Sequence, residues 1–275
     1  MSRVKIILIS FLAVISSIPA AREARAKGCK GENILDCTIK QFYSDGKNLF
    51  LSPFHWDKKE RTGFLLAATV TTGLLFADEE LQKIVQRNRS HFSDDLSNLV
   101  TPSEHVYPAV IIGSFYLGGL FFDRKKEKDT SFYLLEALIF SQGITQGIKY
   151  LTGRARPFAD KGAFYFEGLR ARPSSYSLSF PSGHSATAFS LASVIAEQYD
   201  SKVIGRFSYS LALLAAWARV NDNAHFISDV FFGGVLGNWV GKTVVRLNEN
   251  KVVRSKNLSF QTKVESNILK VTLNF

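Results

Sequence analysis

The chain has 275 residues, 46% of them hydrophobic and 21% charged, with a net charge of +10. That length can bury a sizeable core in one main domain, and the charge suits an acidic partner such as nucleic acid, an anionic membrane surface or a phosphorylated substrate. Two cysteines are too few for a zinc site, and a mean hydropathy of +0.02 is low for a polytopic protein yet high enough for a compact helical core.

Residues 1–26 carry the marks of a secretory signal: Arg3 and Lys5 precede the apolar run IILISFLAVISSI, and Ala24 and Ala26 frame a small-x-small cleavage site. An uncleaved anchor helix is the alternative. Cys29 and Cys37 come just after, and export to an oxidising compartment would permit a disulfide between them. Residues 27–62 read as a polar, irregular segment that ends in SPFHWDKKER.

Six apolar segments follow, near 63–77, 106–122, 131–148, 184–198, 206–220 and 227–245, rich in Leu, Ala, Phe and Ile and without strand-like alternation. They predict an all-α fold, a bundle of about six core helices within residues 63–248. Several of these runs are shorter than the roughly 20 residues a membrane crossing takes. Basic stretches at 123–128, 200–206 and 246–256 would share one side if the third to sixth segments crossed, as the positive-inside rule wants. A cleaved signal conflicts with crossing by both of the first two, so an integral membrane protein and a soluble exported bundle both fit. In the tail, 249–275, Leu269, Val271, Leu273 and Phe275 alternate as in a short strand.

Three stretches carry chemistry. In SFPSGHSATAF, Gly183 lets a ligand approach the backbone, and the opening turn of the following helix offers unpaired N–H groups to an anion such as phosphate. His184, at the edge of that seat, is placed to donate a proton to a leaving oxygen. In ARVNDNAHFISDV, His225 and Asp229 are four residues apart, which on a helix puts them on one face, a base with its orienting carboxylate. Arg219 ends the apolar run before them, where a bound phosphate would supply its partner. In KYLTGRARP, Lys149 and Arg156 are two helical turns apart and suit a clamp for a dianion, while Arg154, off that face, is expected to be solvated. His55, His91 and His105 are read as loop histidines.

Together these read Lys-x6-Arg-Pro (149–157), Pro-Ser-Gly-His (181–184) and Arg-x5-His-x3-Asp (219–229). The set resembles the signature of the phosphatidic acid phosphatase type 2 and vanadium haloperoxidase superfamily, in order and in internal spacing, over roughly residues 149 to 229. One departure is Ala218, where the family usually has serine. The resemblance implies that Lys149, Arg156, Arg219 and the backbone amides at Ser182 and Gly183, with the Ser182 hydroxyl, bind phosphoryl oxygens. It also implies that His225 attacks phosphorus, Asp229 orients it, and His184 protonates the leaving group.

The resulting expectation is a phosphatase of the bacterial lipid phosphatase or acid phosphatase branch, acting without metal or cofactor on a phosphomonoester or diphosphate through a phosphohistidine. The substrate would be a phosphorylated membrane lipid or a small phosphorylated compound, and no nucleic-acid partner is expected. Its setting would be the cell envelope, either inner membrane with a periplasm-facing site or soluble periplasm. A vanadium-dependent haloperoxidase, with vanadate in the phosphate site, is the alternative from another class, as is a non-enzymatic lipid-binding member. A broad-specificity exported acid phosphatase is a variant within the hydrolases.

Overall fold

The computed structural model describes residues 34–100, 106–170 and 176–272, with side chains described over 36–100, 106–169 and 176–249. The expected signal, the His105 loop and Cys29 lie outside the described residues. Cys37 is disulfide-bonded.

Among the described residues there are eight α-helices and no strand. They are α1 (Ile34–Leu51), α2 (Lys58–Arg87), α3 (His91–Val100), α4 (Val106–Phe121), α5 (Lys125–Thr152), α6 (Gly183–Tyr199), α7 (Lys202–Asn221) and α8 (Ile227–Thr272). An all-α fold is what the apolar periodicity predicts, but its ends differ from expectation. The segment read as irregular is largely helical: α1 is followed by a 3-10 turn at Ser52–His55, and α2 begins at Lys58. The charged DKKER stretch is a helix start, because Asp57 accepts from the Glu60 N–H at 2.7 Å while the Glu60 carboxylate accepts from the Asp57 N–H at 3.1 Å. At Leu269 and Val271 the expected terminal strand is replaced by α8, which runs to Thr272, while Leu273 and Phe275 lie outside the described residues. A lone strand leaves its N–H and C=O groups unpaired, whereas a helix satisfies its own.

Two compact units divide the chain: Asn48–Val244, and Met1–Lys47 with Val245–Phe275. All three motifs belong to the first. At its centre is α6, whose residues from Gly183 to Val194 are nearly all buried and nearly all small. It packs against α4, α5 and α7. Ala188 and Ala192 meet Ala212 and Ala215 of α7, with Phe189 and Tyr209 closing the cluster.

Three glycines bring α8 onto the other side of α6. A Cβ at Gly233 would lie 2.5 Å from the Ser182 carbonyl oxygen, one at Gly237 2.1 Å from that of Ala186, and one at Gly241 2.0 Å from Ser193 Oγ. Any side chain there would push the second and third motifs apart.

Among the described residues no helix is long and apolar enough to cross a membrane.

Candidate active site

The first motif leaves its helix early. Gly153 adopts φ 57°, a left-handed conformation that favours glycine, and its N–H returns to Lys149 O, so α5 stops at Thr152. Lys149 is therefore on the last helical turn while Arg156 is in extended chain beyond it. They do not share a helical face as expected, because the helix ends between them. Lys149 is buried and donates to Leu178 O at 2.5 Å, at the approach to the second motif. Arg156 is partly exposed, and its backbone N–H is bonded to Tyr176 O at 3.0 Å.

Arg154 is the largest correction. Expected in water, it has no solvent exposure and makes four hydrogen bonds. Nε donates to Ala163 O at 2.9 Å, Nη1 to Ser228 Oγ at 2.7 Å and Asp229 Oδ1 at 2.6 Å, and Nη2 to Asp78 Oδ2 at 2.7 Å. The Phe226 ring covers it, 4.3 Å from ring centroid to Cζ. Arg154 has no helical face to lie on or off, because α5 ends two residues before it.

The second motif begins with Ser182 as the N-cap of α6, its hydroxyl accepting from the Ser185 N–H at 3.4 Å. The Ser182 amide was expected to face phosphate; it donates instead to Asp229 O at 2.9 Å and ties the second motif to the third. Ser182 is fully buried. Gly183 and His184 occupy the first turn of α6, whose N–H groups have no helical acceptor, and His184 is partly exposed. Tyr107 Oη, on α4, donates to His184 O at 3.4 Å.

The third motif is a turn between helices. His225 precedes the first residue of α8, and Asp229 lies in that helix's first turn, so the two meet across a helix start and not along one face. Asp229 Oδ2 accepts the Phe226 N–H at 2.9 Å, a reverse cap. The His225 N–H in turn bonds Arg219 O at 3.2 Å, which joins the ends of the motif. Arg219 is mostly buried and pairs with Asp222 at 2.6 Å.

His225 and Asp229 are both buried, with Nδ1 and Oδ2 3.7 Å apart, beyond hydrogen-bond reach. Ser179 stands between them, its Oγ 2.6 Å from Asp229 Oδ2 and 3.3 Å from His225 Nδ1. Burial pushes the His225 pKa down to about 4, Asp229 acting against the shift and the charges of Lys149 and Arg156 adding to it. Burial alone would raise the Asp229 carboxyl, but His225 and the Arg154 guanidinium outweigh it and hold the group below the usual carboxylate range.

Sequence reading missed Asp78, Gln82 and Gln86, one polar stripe at spacings of four along α2. Asp78 holds Arg154 and the Ser228 N–H; Gln82 donates to Asn223 Oδ1 at 2.5 Å; Gln86 donates to Val220 O and Asn221 O, each at 3.1 Å. The stripe braces the third-motif turn. Its signal in the sequence was the polar repeat continuing an apolar helix through DEELQKIVQ. Of the loop histidines, His55 lies in the 3-10 turn and His91 starts α3, and both are exposed. Among the described residues no group of three or more His, Cys, Asp or Glu side chains is placed to hold a metal ion.

The family model of the PAP2 superfamily matches residues 130–252, which contain all three motifs. Over those residues the chain is similar to the PAP2 superfamily. Relatives of this chain include a lipid A 1-phosphatase of Rhizobium etli, 33% identical over 112 residues that make up 39% of this chain and 45% of that protein. A lipid A 1-phosphatase of Porphyromonas gingivalis is 33% identical over 105 residues, 36% of this chain and 20% of that protein. The chain thus spans less than half the length of the curated relatives it matches. The crystal structure of a transmembrane PAP2 type phosphatidylglycerolphosphate phosphatase from Bacillus subtilis covers 75% of this chain and 96% of its own, with a TM-score of 0.53 and 23% identity. The chain shares that helical fold.

Proposed function

We propose that the protein is a metal-independent lipid phosphatase of the cell envelope that hydrolyses a phosphomonoester or diphosphate through a phosphohistidine. The observation that carries this reading is the meeting of the motifs around a buried imidazole: His225 is kept unprotonated by burial, backed by Asp229, and within the fields of Lys149 and Arg156.

In the proposed reaction Lys149, Arg156, Arg219 and the Gly183 and His184 amides hold the phosphoryl oxygens. His225 Nε2 attacks phosphorus, the bond to the leaving oxygen breaks, and His184 gives that oxygen its proton. Water then attacks the phosphohistidine, His184 takes the proton from the water, and the P–N bond breaks to release inorganic phosphate and neutral His225.

The lipid reading is supported by the names of the relatives and by the loop after the first motif, where Phe158, Phe164, Tyr165, Phe166 and Leu169 are all exposed. Among lipids, a glycolipid 1-phosphate is the first candidate, because the curated relatives are named for that reaction. The test is phosphate release in EDTA from lipid A, phosphatidic acid, a polyprenyl diphosphate and para-nitrophenyl phosphate, by wild type and His225→Ala. Lipid-dependent release that disappears in the variant is the expected result. Equal behaviour of the two proteins on every compound overturns the reading.

A further inference from the structure

Ser179, Arg154 and Asp78 take no part in holding phosphate in the reaction above, yet all three are fully buried and linked to His225. A serine hydroxyl has one proton to donate. At Ser179 that proton points to Asp229 Oδ2, 2.6 Å away, because an ionised carboxylate can only accept. The 3.3 Å contact between Ser179 Oγ and His225 Nδ1 then requires the imidazole to be the donor. With its hydrogen on Nδ1, His225 keeps a lone pair on Nε2, the atom that must attack phosphorus.

The carboxylate is held from behind. Asp229 Oδ1 is bonded to Arg154, and Asp78 anchors the other end of that guanidinium at 2.7 Å while accepting the Ser228 N–H at 3.0 Å and the Ser228 hydroxyl. Two carboxylates share one guanidinium, so the buried group keeps one net negative charge behind the ring. Attack on phosphorus makes the ring cationic, and that charge then has a partner. The other charged groups facing His225 are Lys149 and Arg156, which oppose a cation there, while Arg219 on the preceding helix is paired with Asp222.

We propose that Ser179, Arg154 and Asp78 are positioning residues: the chain Asp78–Arg154–Asp229–Ser179 holds His225 with its proton on Nδ1 and its Nε2 lone pair free for attack. The proposal rests on the phosphatase reading for its purpose but not for its first test. In the full chain labelled with ¹⁵N-histidine, two-bond proton–nitrogen correlations report the tautomer of each ring, with His225→Ala assigning the signal. The expected spectrum shows His225 protonated on Nδ1 in wild type and redistributed toward Nε2 in Ser179→Ala. A wild-type ring protonated on Nε2 overturns the proposal whether or not the protein releases phosphate.

Kinetics supply the second test, on para-nitrophenyl phosphate with inorganic phosphate as the competitor. Ser179→Ala and Asp78→Asn lower kcat on the order of 10- to 100-fold, as loss of outer-shell partners does elsewhere, with the inhibition constant for phosphate changed less than about twofold. Ser179→Thr, which restores the hydroxyl, recovers most of the rate. Asp78→Asn also removes a negative charge and moves the acid limb of kcat/KM to lower pH. If kcat and the acid limb match wild type in both variants while His225→Ala is inactive, the positioning role fails and the phosphatase reading stands. If wild type and His225→Ala release phosphate alike, the phosphatase reading fails and the tautomer measurement alone decides the positioning.

Discussion

Arg154 Nη1 sits 2.6 Å from Asp229 Oδ1, and neither side chain has any solvent exposure. The pair joins the first motif to the third inside the bundle, so it is both a structural tie and part of the support for His225. Asp229→Ala leaves Arg154 paired with Asp78 but takes the acceptor from the buried Phe226 N–H and Ser179 hydroxyl, so it is expected to cost about 1–3 kcal/mol of stability for each donor left unsatisfied, read as a lowered melting temperature. Asp229→Asn keeps the shape and isolates the chemistry, with kcat falling by up to about 10⁴-fold as for the orienting carboxylate of a triad. Wild-type rates in Asp229→Asn would remove Asp229 from the mechanism.

Burial holds the His225 pKa at about 4, down from 6.5. Between those values the unfolded chain binds a proton that the folded chain does not, so stability falls as pH drops from 6.5 toward 4 and is level above. The lowered carboxyl of Asp229 acts further down: its contribution is present above the unfolded value of 3.8 and is lost as pH falls through the folded one. Urea midpoints measured from pH 8 to pH 4 should show the first slope in wild type and a shallower one in His225→Asn. Equal slopes in the two proteins would mean that the ring is not buried neutral.

Glycines on two helices are expected to respond with opposite signs. A Cβ at Gly237 would lie 2.1 Å from the Ala186 carbonyl, a backbone atom that cannot swing aside, so Gly237→Ala is expected to destabilise by about 1–3 kcal/mol and to lower activity by moving the start of α6. At Gly205 on α7 the nearest atom is the Ala196 Cβ at 3.5 Å, an ordinary contact. Gly205→Ala is expected to stabilise by about 0.5–1 kcal/mol through helix propensity. Thermal melts of the two variants against wild type check both.

Phe164 and Leu169 are 55% and 79% exposed on the loop that follows Arg156. If substrate is a lipid, replacing both with serine lowers the rate on phosphatidic acid or lipid A in vesicles and leaves the rate on para-nitrophenyl phosphate unchanged. Parallel assays on the two substrate forms decide it, and an equal fall on both would assign the loop to general folding.

Much of this molecule was legible in one dimension. Apolar runs at helical spacing marked helices α4 to α7 and the start of α8, because an amphipathic or buried helix leaves its period in the sequence. The three motifs were legible as residue types whose chemistry belongs to phosphoryl groups. Their mode of assembly was not. Lys149 with Arg156, and His225 with Asp229, were read as helical faces, whereas the first pair is separated by a left-handed Gly153 and the second straddles the start of α8.

What the sequence by itself determined was therefore local: which apolar segments are helical, and which residues carry charge and protons. Only the tertiary structure decided that Arg154 is buried, that Ser179 intervenes between His225 and Asp229, and that Asp78, 76 residues before Arg154, completes the group. A charge reveals its fate only through partners distant along the chain, since the same arginine is solvated or buried according to whether two carboxylates and a carbonyl converge on it. That convergence depends on how closely α8 approaches α6, which Gly233, Gly237 and Gly241 permit.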